Sequence, residues 1–556
     1  MKTVSILDYI RPEDGDNRTL AVVRALRENA GDDLRFELGT GEWHFYAADA
    51  FTEECFESNN DGGEKQVLFS LHNRKNITVD GKGAVWTLHG RLSPFVIDGC
   101  ENVTVEGITS DVRRPFYTQG KIVRSAPNEA ELAIDTAEYP YTVEGTNWYP
   151  YGDCWKQDLR DEVSLIHVFG ADTHAPIAGS PTAFIWVGDG NPRVENLPAD
   201  LWRADASQTP EGNLLLKGDF GGYTLPVGDW LVVTHENRLN SFCFIKDSQG
   251  VTLRDVVIYQ MGSMGVIGQN SADILLHRVR VMPNAARNRV ISTNADATHF
   301  VNCYGTLTMR DCVFDGMMDD ATNIHGIYTV IENAEGNILT LRLKHFQQRG
   351  VIPYRVGDRL RLLERDGLNE YATVTIQSVE LADDYTLRII TNESIPAECV
   401  GGVAEDPDNH PEVLLEGNRT GNNRPRGFLI NTSKKAVVRG NTFYNSCCGV
   451  FSGGDPWYWY EAGPMTDLTV TGNTFMGCNV LDGGFAVCVS PDPMPQLKGC
   501  YHGKVTVTDN RFVNSNGNAV FARSVADLTV TGNTCDVDAL VSTEACAATD
   551  IQTEWN

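Results

Sequence analysis

The chain has no uninterrupted run of 18 or more apolar residues, so no membrane-spanning helix is encoded. Its first residues, MKTVSILDYIRPEDGD, lack the 7–15-residue apolar stretch and small-residue cleavage site of an export signal. The expected location is therefore cytoplasmic, or exported with the signal already removed. Metal-type cysteine spacing is missing as well. The 14 cysteines include no C-x-x-C pair, and Cys447-Cys448 is the only close set, so neither a zinc site nor any other cofactor is expected. Cys303, Cys312, Cys478 and Cys488 sit in apolar, strand-like segments and read as reduced core thiols. Basic residues are scarce: 46 against 74 acidic ones, a formal net charge of -28. That balance keeps the chain soluble and repels phosphates, so nucleic acid and anionic membranes are excluded as partners. A polyanionic polysaccharide is disfavoured for the same reason.

The 556 residues do carry a strong repeat of short alternating strands with glycine or asparagine corners. NITVDG (76–81) recurs as NVTVEG (102–107), 26 positions on, and GVTLRD (250–255) and ADILLHR (272–278) continue the pattern. It is plainest near the C-terminus in LTVTGNTF (468–475), VTVTDNRF (505–512) and LTVTGNTC (528–535), with GNTF (440–443) before them. A repeat of roughly 20 to 30 residues is one coil of a parallel β-helix. The recurring corner asparagines Asn441, Asn473, Asn510 and Asn533 read as a side-chain ladder, since asparagine tolerates the left-handed turn and its amide can bond its counterpart one coil away. Residues 14–29, DGDNRTLAVVRALREN, form a short amphipathic helix with Leu20, Val23 and Leu26 on one face, suited to covering the open end of such a helix.

Two stretches break the rhythm. Residues 121–237 and 327–411 each contain a Gly-Asp turn leading into an alternating strand, PVGDWLVV (226–233) and YRVGDRLRLL (354–363), and each reads as a small antiparallel barrel inserted through a loop. The expected fold is all-β: a right-handed parallel β-helix with two inserted small β-barrel domains. Its parts are a cap helix and first coils (1–120), barrel 1 (121–237), central coils (238–326), barrel 2 (327–411) and C-terminal coils (412–556).

The central coils carry the chemistry. In NADATHFVNCYGTLTMRDCVFDGMMDDATNIHG (294–326), Asp319 and Asp320 lie 23 and 24 positions after Asp296, one coil apart, with GTLTMRDCVFDGM between them as one or two strands. Stacking at the ~4.8 Å strand spacing brings the three carboxyls together. Like charges so placed repel and shift each other's protonation, which suits acid/base catalysis. A Ca²⁺ site, or turn-capping aspartates, would use the same residues. His299 and His325 are either partners of the carboxyls and sugar hydroxyls or structural. Arg424 and Arg426, in NNRPRG, offer forked donors for hydroxyls or are ordinary ion-pair residues. The segment DPWYWYE (455–461), with Trp457, Trp459 and Glu461, is either a sugar-stacking loop or core packing. DVRRPFYTQG (111–120) lines a site or joins the first insertion.

The segments FVIDGCENVTVEGITSDVRRPFYTQG (95–120), NADATHF (294–300), DDATNIHG (319–326) and NNRPRGFLINT (422–432), with the two insertions, resemble glycoside hydrolase family 110 over most of the chain. The resemblance implies an inverting exo-α-1,3-galactosidase of bacterial type acting on a galactose-terminated glycan, such as the blood group B antigen. It matches Asp296, Asp319 and Asp320 to three essential aspartates, and Asn294 joins the substrate contacts. Inverting polygalacturonases are a more distant likeness: NADA stands in place of Asn-Thr-Asp and Arg-Ile-Lys is absent. That analogy makes Asp319 the general acid and Asp296 with Asp320 the water-activating pair, with the choice between Asp319 and Asp320 left open. A Ca²⁺-dependent β-helix lyase and a non-catalytic carbohydrate-binding β-helix are the alternatives. A homodimer through a helix side face is a further expectation.

Overall fold

The computed structural model describes residues 1–160, 164–180, 183–189, 201–235, 238–478, 484–492, 497–513, 516–552 and 555. Short strands stack in parallel register into three columns that enclose one long core, the arrangement of a parallel β-helix. One coil shows the pattern: Tyr304–Arg310, a corner, Val313–Asp315, a second corner, then Thr322–Ile327. The segment between the aspartates is thus two strands followed by a turn. Strands of the first columns alternate buried and half-buried side chains, as in Ala272–His277, because successive residues point to opposite faces of a strand, whereas Thr298–Val301 and Thr322–Ile327 of the third column are buried on both faces. Along the core, Phe443 stacks on Phe475 and Phe475 on Phe512 at 4.8 and 4.9 Å between ring centroids. The strand spacing sets that distance.

The corner asparagines form the expected ladder. Asn418 donates from Nδ2 to Oδ1 of Asn441 at 3.0 Å, Asn441 to Asn473 at 2.9 Å, Asn473 to Asn510 at 2.9 Å and Asn510 to Asn533 at 3.0 Å. The left-handed residue is, however, the one before each ladder asparagine: Gly417, Gly440, Gly472, Asp509 and Gly532 have φ near +60°. The turn geometry and the amide bonding fall on adjacent residues because an amide buried in the corner must face inward, while the tight bend lies just before it.

The helix Thr19–Glu28 packs against the first coils. Asn17 Oδ1 accepts from the Thr19 N–H at 3.0 Å. Thr19, Ala21, Val22, Val23, Ala25 and Leu26 are buried, with Leu20 only half-buried, so Val23 and Leu26 of the face read from the sequence point inward and the buried stripe extends to Ala21, Val22 and Ala25 instead of Leu20. Small alanines allow the close approach.

Both insertions are closed barrels, and the β-helix register runs across them. Leu92–Asp98 pairs directly with Cys243–Lys246, and Tyr304–Arg310 with Glu412–Glu416. Barrel 1 is built from Tyr117–Ala126, Glu129–Ala133, Ser164–Phe169, Ala183–Val187, Leu201–Gln208, Leu214–Asp219 and Trp230–Thr234 among the described residues. It is not wholly antiparallel, since Ala183–Val187 and Leu201–Gln208 run parallel, a pairing that requires a long crossover. The expected end of this domain at 237 lies outside the described residues. Barrel 2 consists of Thr329–Glu335, Ile338–Arg342, Arg359–Leu363, Glu370–Asp383, Thr386–Thr391 and Val403–Glu405, all antiparallel. In each barrel the Gly-Asp turn precedes the strand predicted for it, with Gly228 and Gly357 at φ +101° and +95°. All 14 cysteines are free thiols, Cys303, Cys312 and Cys478 buried and Cys488 partly so. Burial pushes the thiols of Cys303, Cys312, Cys478 and Cys488 up to about 12. No helix among the described residues is long and apolar enough to cross a membrane.

Candidate active site

The third column of strands positions the carboxylates. Thr298 pairs with Thr322 and Thr322 with Phe428. Continuing this register two residues toward the N-terminus stacks Asp296, Asp320 and Arg426 on three successive coils. The bonds at that level agree: Ala297 N–H donates to the Asp320 carbonyl at 2.9 Å, and Ala321 N–H to the Arg426 carbonyl at 3.2 Å. Gly427 lets the next coil approach, since a Cβ there would lie 2.4 Å from the Gly449 oxygen.

Asp320 is almost fully buried and is gripped by Arg426, which donates from Nε at 2.9 Å to Oδ1, from Nη2 at 2.8 Å to Oδ2 and from its backbone N–H at 2.9 Å to Oδ1. Burial, against the pull of Arg426, raises Asp320 to about 8, with Asp319 and Asp296 adding to the rise. Four acceptor contacts from one arginine nonetheless describe a carboxylate, and the ion pair is the arrangement this geometry supports. Asp319 Oδ2 accepts from Arg238 Nη2 at 2.7 Å, and Arg238 Nη1 also donates to the Asn59 carbonyl at 2.9 Å. Asp296 has a histidine partner instead of a guanidinium, His299 Nδ1 at 2.7 Å. Burial, then the nearby Asp319, holds its carboxyl well above the ordinary range, while burial holds His299 well below its own.

These groups face a pocket lined by Asn59, Arg238, Asp296, His299, Asp319, Asp320, Asn323, Arg426, Trp459 and Glu461. Its empty volume, with the open mouth included, is about 360 Å³. The wall opposite the strands is loop 56–61, held by Asn59 N–H donating to the Gln347 carbonyl of barrel 2 at 3.0 Å. Trp459 stands on a loop organised by Asp455, whose carboxylate accepts the N–H groups of Trp457, Tyr458 and Trp459 at 2.7, 2.9 and 2.6 Å. The end of that loop is stapled to the coil that carries Asp319 and Asp320, Gly326 pairing with Ala462 and Ile327 with Glu461.

The sequence of the first barrel, residues 118–231, matches the GLAA-B beta-barrel domain I, and residues 338–402 match GLAA-B beta-barrel domain II. The whole chain is 28% identical to Alpha-1,3-galactosidase B of Bacteroides thetaiotaomicron, over 96% of this chain and 86% of that one. It is also 28% identical to Alpha-1,3-galactosidase A of Shewanella woodyi, over 92% and 82%. Relatives named alpha-1,3-galactosidase A or B thus match this chain over most of its length. Among solved structures, the A-module of the Azotobacter vinelandii mannuronan C-5 epimerase AlgE4 aligns over 100% of this chain and 98% of its own, with a TM-score of 0.37 and 10% identity.

The pocket gathers seven of the residues expected from sequence: Asp296, Asp319, Asp320, His299, Arg426, Trp459 and Glu461. His325 stands one layer behind, its Nε2 2.9 Å from His299 Nε2. Three residues fall elsewhere. Asn294 is buried beneath the site, donating to the Phe116 carbonyl at 2.8 Å and accepting from Gln260 at 3.1 Å. Arg424 is buried toward barrel 1, where Nη1 donates to Ser180 Oγ at 3.1 Å, since residues two apart around a turn leave in different directions. Trp457 is outside the lining, 45% exposed and covered by the Arg365 guanidinium at 3.9 Å. The loop 111–120 joins barrel 1 to the coils: Asp111 pairs with the fully buried Arg289, and Arg114 donates to the carbonyls of Pro115 and Tyr117.

Three lining residues went unread in the sequence. Arg238 lies at the return from the first insertion, and Asn59 in ESNNDGG, which reads only as a turn. Asn323, within DDATNIHG, pairs in register with His299 and donates to Glu461 Oε1 at 2.9 Å. Its coil position was the available signal.

Proposed function

We propose that this protein is an exo-acting, inverting α-1,3-galactosidase, removing terminal α-1,3-linked galactose from glycans such as the blood group B antigen or linear α-1,3-galactosides. It is a glycoside hydrolase, and α-galactosidase activity is what its named relatives support. The observation that carries the reading is the convergence of three aspartates, two of them bound by arginines, in one pocket that a tryptophan also lines.

Inversion needs one carboxylic acid to protonate the leaving oxygen and a carboxylate to activate water on the opposite face of the ring. Asp319 is the most open of the three, its side chain 28% exposed against 3% for Asp296 and 2% for Asp320. Its exposure supports a place beside the departing sugar and the role of general acid. Asp296 and Asp320, at the floor, are assigned to the attacking water; Arg426 holds the ionised Asp320 in place, and Arg238 holds Asp319 through Oδ2 alone, leaving Oδ1 for the proton it donates. Trp459 and Glu461 bind the ring and its hydroxyls. The Ca²⁺-lyase alternative has less support, because arginine N–H groups already occupy oxygens of Asp319 and Asp320, and that donor set does not fit a cation.

The test is to incubate the protein with linear and fucosylated α-1,3-galactosides and follow the reaction by proton NMR. Release of galactose with the β-anomer first is expected, unaffected by EDTA. Release of the α-anomer first removes inversion, and no release from any α-galactoside removes the function.

A further inference from the structure

Behind Asp296 runs a chain of buried groups that the reaction above leaves unused. Asp296 Oδ2 lies 2.7 Å from His299 Nδ1, His299 Nε2 lies 2.9 Å from His325 Nε2, and His325 Nδ1 lies 2.6 Å from the Gly326 carbonyl oxygen. The far end fixes the rest. A carbonyl only accepts, so His325 Nδ1 carries a hydrogen. Two ring nitrogens at hydrogen-bond distance need one proton between them, and the carboxyl–imidazole contact needs another. Three contacts hold three protons, which over one carboxyl and two imidazoles is zero net charge. All three residues are 2% exposed or less, and burial favours the uncharged arrangement. In it, Asp296 Oδ2–H donates to His299 Nδ1, and His299 Nε2–H donates to His325 Nε2. The directions in which burial moves Asp296 and His299 agree with this. The charged and titratable groups facing the chain are Asp319, Asp320, Arg238, Arg426, Glu461 and His410.

We infer that His299 and His325 are positioning residues acting through Asp296, a store for the proton that Asp296 takes from the attacking water. The inference rests on the hydrolytic reading of the site. As the water oxygen gives its electron pair to the anomeric carbon, one water O–H breaks and its proton goes to the other oxygen of Asp296. Oδ2–H moves to His299 Nδ1, and His299 Nε2–H moves to His325 Nε2. The carbon–oxygen bond to the leaving sugar breaks, and Asp319 supplies the proton to that oxygen. The added positive charge ends on His325, whose Nε2 is 3.6 Å from Glu461 Oε1. After galactose departs, the reverse shift returns a proton through Asp296 to the pocket, where Asp319 has lost one.

The decisive variant is His325→Gln. Its carboxamide reaches the place of the ring Nε2 and accepts from His299 Nε2–H, but takes up no proton. With a linear α-1,3-galactoside, kcat is expected to fall about 10²-fold, with KM changed by less than about threefold. The solvent-isotope proton inventory is expected to be curved in the parent protein, with several protons moving together, and linear in the variant. A folded His325→Gln protein with parental kcat and a curved inventory overturns the relay. An infrared measurement decides the chain without turnover: a protonated-carboxyl C=O band near neutral pH, lost in Asp296→Asn, is expected, and its absence from the parent protein overturns the inference even where His325→Gln fails to fold. A parent protein inactive on every α-galactoside would instead remove the function, with the band still reporting on the chain.

Discussion

Arg426 lies one coil beyond Asp320 in the stack and holds both of its carboxylate oxygens, Nε to Oδ1 at 2.9 Å and Nη2 to Oδ2 at 2.8 Å. The pair is the charge balance of the pocket floor. Arg426→Ala leaves a buried carboxylate without its cation, a loss of roughly 3–5 kcal/mol when one partner of a buried pair is removed. Turnover is expected to fall by at least about 10²-fold, with a lower urea midpoint. Arg426→Lys keeps the charge but not the fork and is expected to fall between the two. Turnover within a few-fold of the parent in Arg426→Ala removes this arginine from the mechanism.

Asp319→Asn and Asp320→Asn preserve shape while removing a proton donor or acceptor. Each is expected to lower kcat by roughly 10²–10⁴-fold with little change in KM, since acid/base help is made in the transition state. Steady-state kinetics on one galactoside is sufficient. A near-parental rate in either variant takes that residue out of the acid/base pair.

Coil spacing explains why so much of this site was legible. Asp296 and the Asp319-Asp320 pair reached one pocket because a parallel register converts an interval of about 24 residues into adjacency, and the corner asparagines betrayed the repeat directly. Arg238 and Asn59 carry no such signal. One returns from a barrel and the other comes from loop 56–61, far earlier in the chain, and both reach the site through contacts with residues outside the repeat. Arg424 and Arg426 illustrate the same limit. Their composition is identical, but only the second begins a strand of the column that carries Asp296 and Asp320.

Trp459 has the Arg238 guanidinium 5.7 Å from its ring and the His345 ring at 4.7 Å, and it lines the pocket. An aromatic face so placed offers stacking worth about 0.5–1.5 kcal/mol. Trp459→Ala is expected to raise KM by about tenfold, the upper end of that range, with a smaller fall in kcat. An unchanged KM assigns the ring to packing alone.

Asn473 sits mid-ladder, 1% exposed, giving its amide to the Asn510 Oδ1 and the Val438 carbonyl and accepting from the backbone and side chain of Asn441. Asn473→Ala leaves several buried polar groups unmatched, at about 1–3 kcal/mol each. The expected result is a lower unfolding midpoint, and faster hydrogen exchange in the adjoining coils. Asn533 accepts from one ladder neighbour, Asn510, and donates to the Val507 carbonyl, so Asn533→Ala is expected to cost less. Equal losses would mean that the ladder does not act as a connected row.

His502 is one of several buried histidines that make stability depend on pH. It is 1% exposed, its Nδ1 accepts from the Met465 N–H at 3.2 Å, and burial pushes the ring down to about 3. The folded protein therefore binds this proton less readily than the unfolded chain, whose histidines titrate near 6.5. The stability it contributes is complete above about pH 6.5 and is lost as pH falls toward 3, at ~1.4 kcal/mol per pH unit. His502→Asn keeps an acceptor near the Met465 N–H but has no proton to gain. Plotted against pH, the stability difference between parent and variant is expected to be flat above pH 7 and to shift steadily in the variant's favour below pH 6. Parallel curves down to pH 4 would show that acid unfolding is governed by other groups.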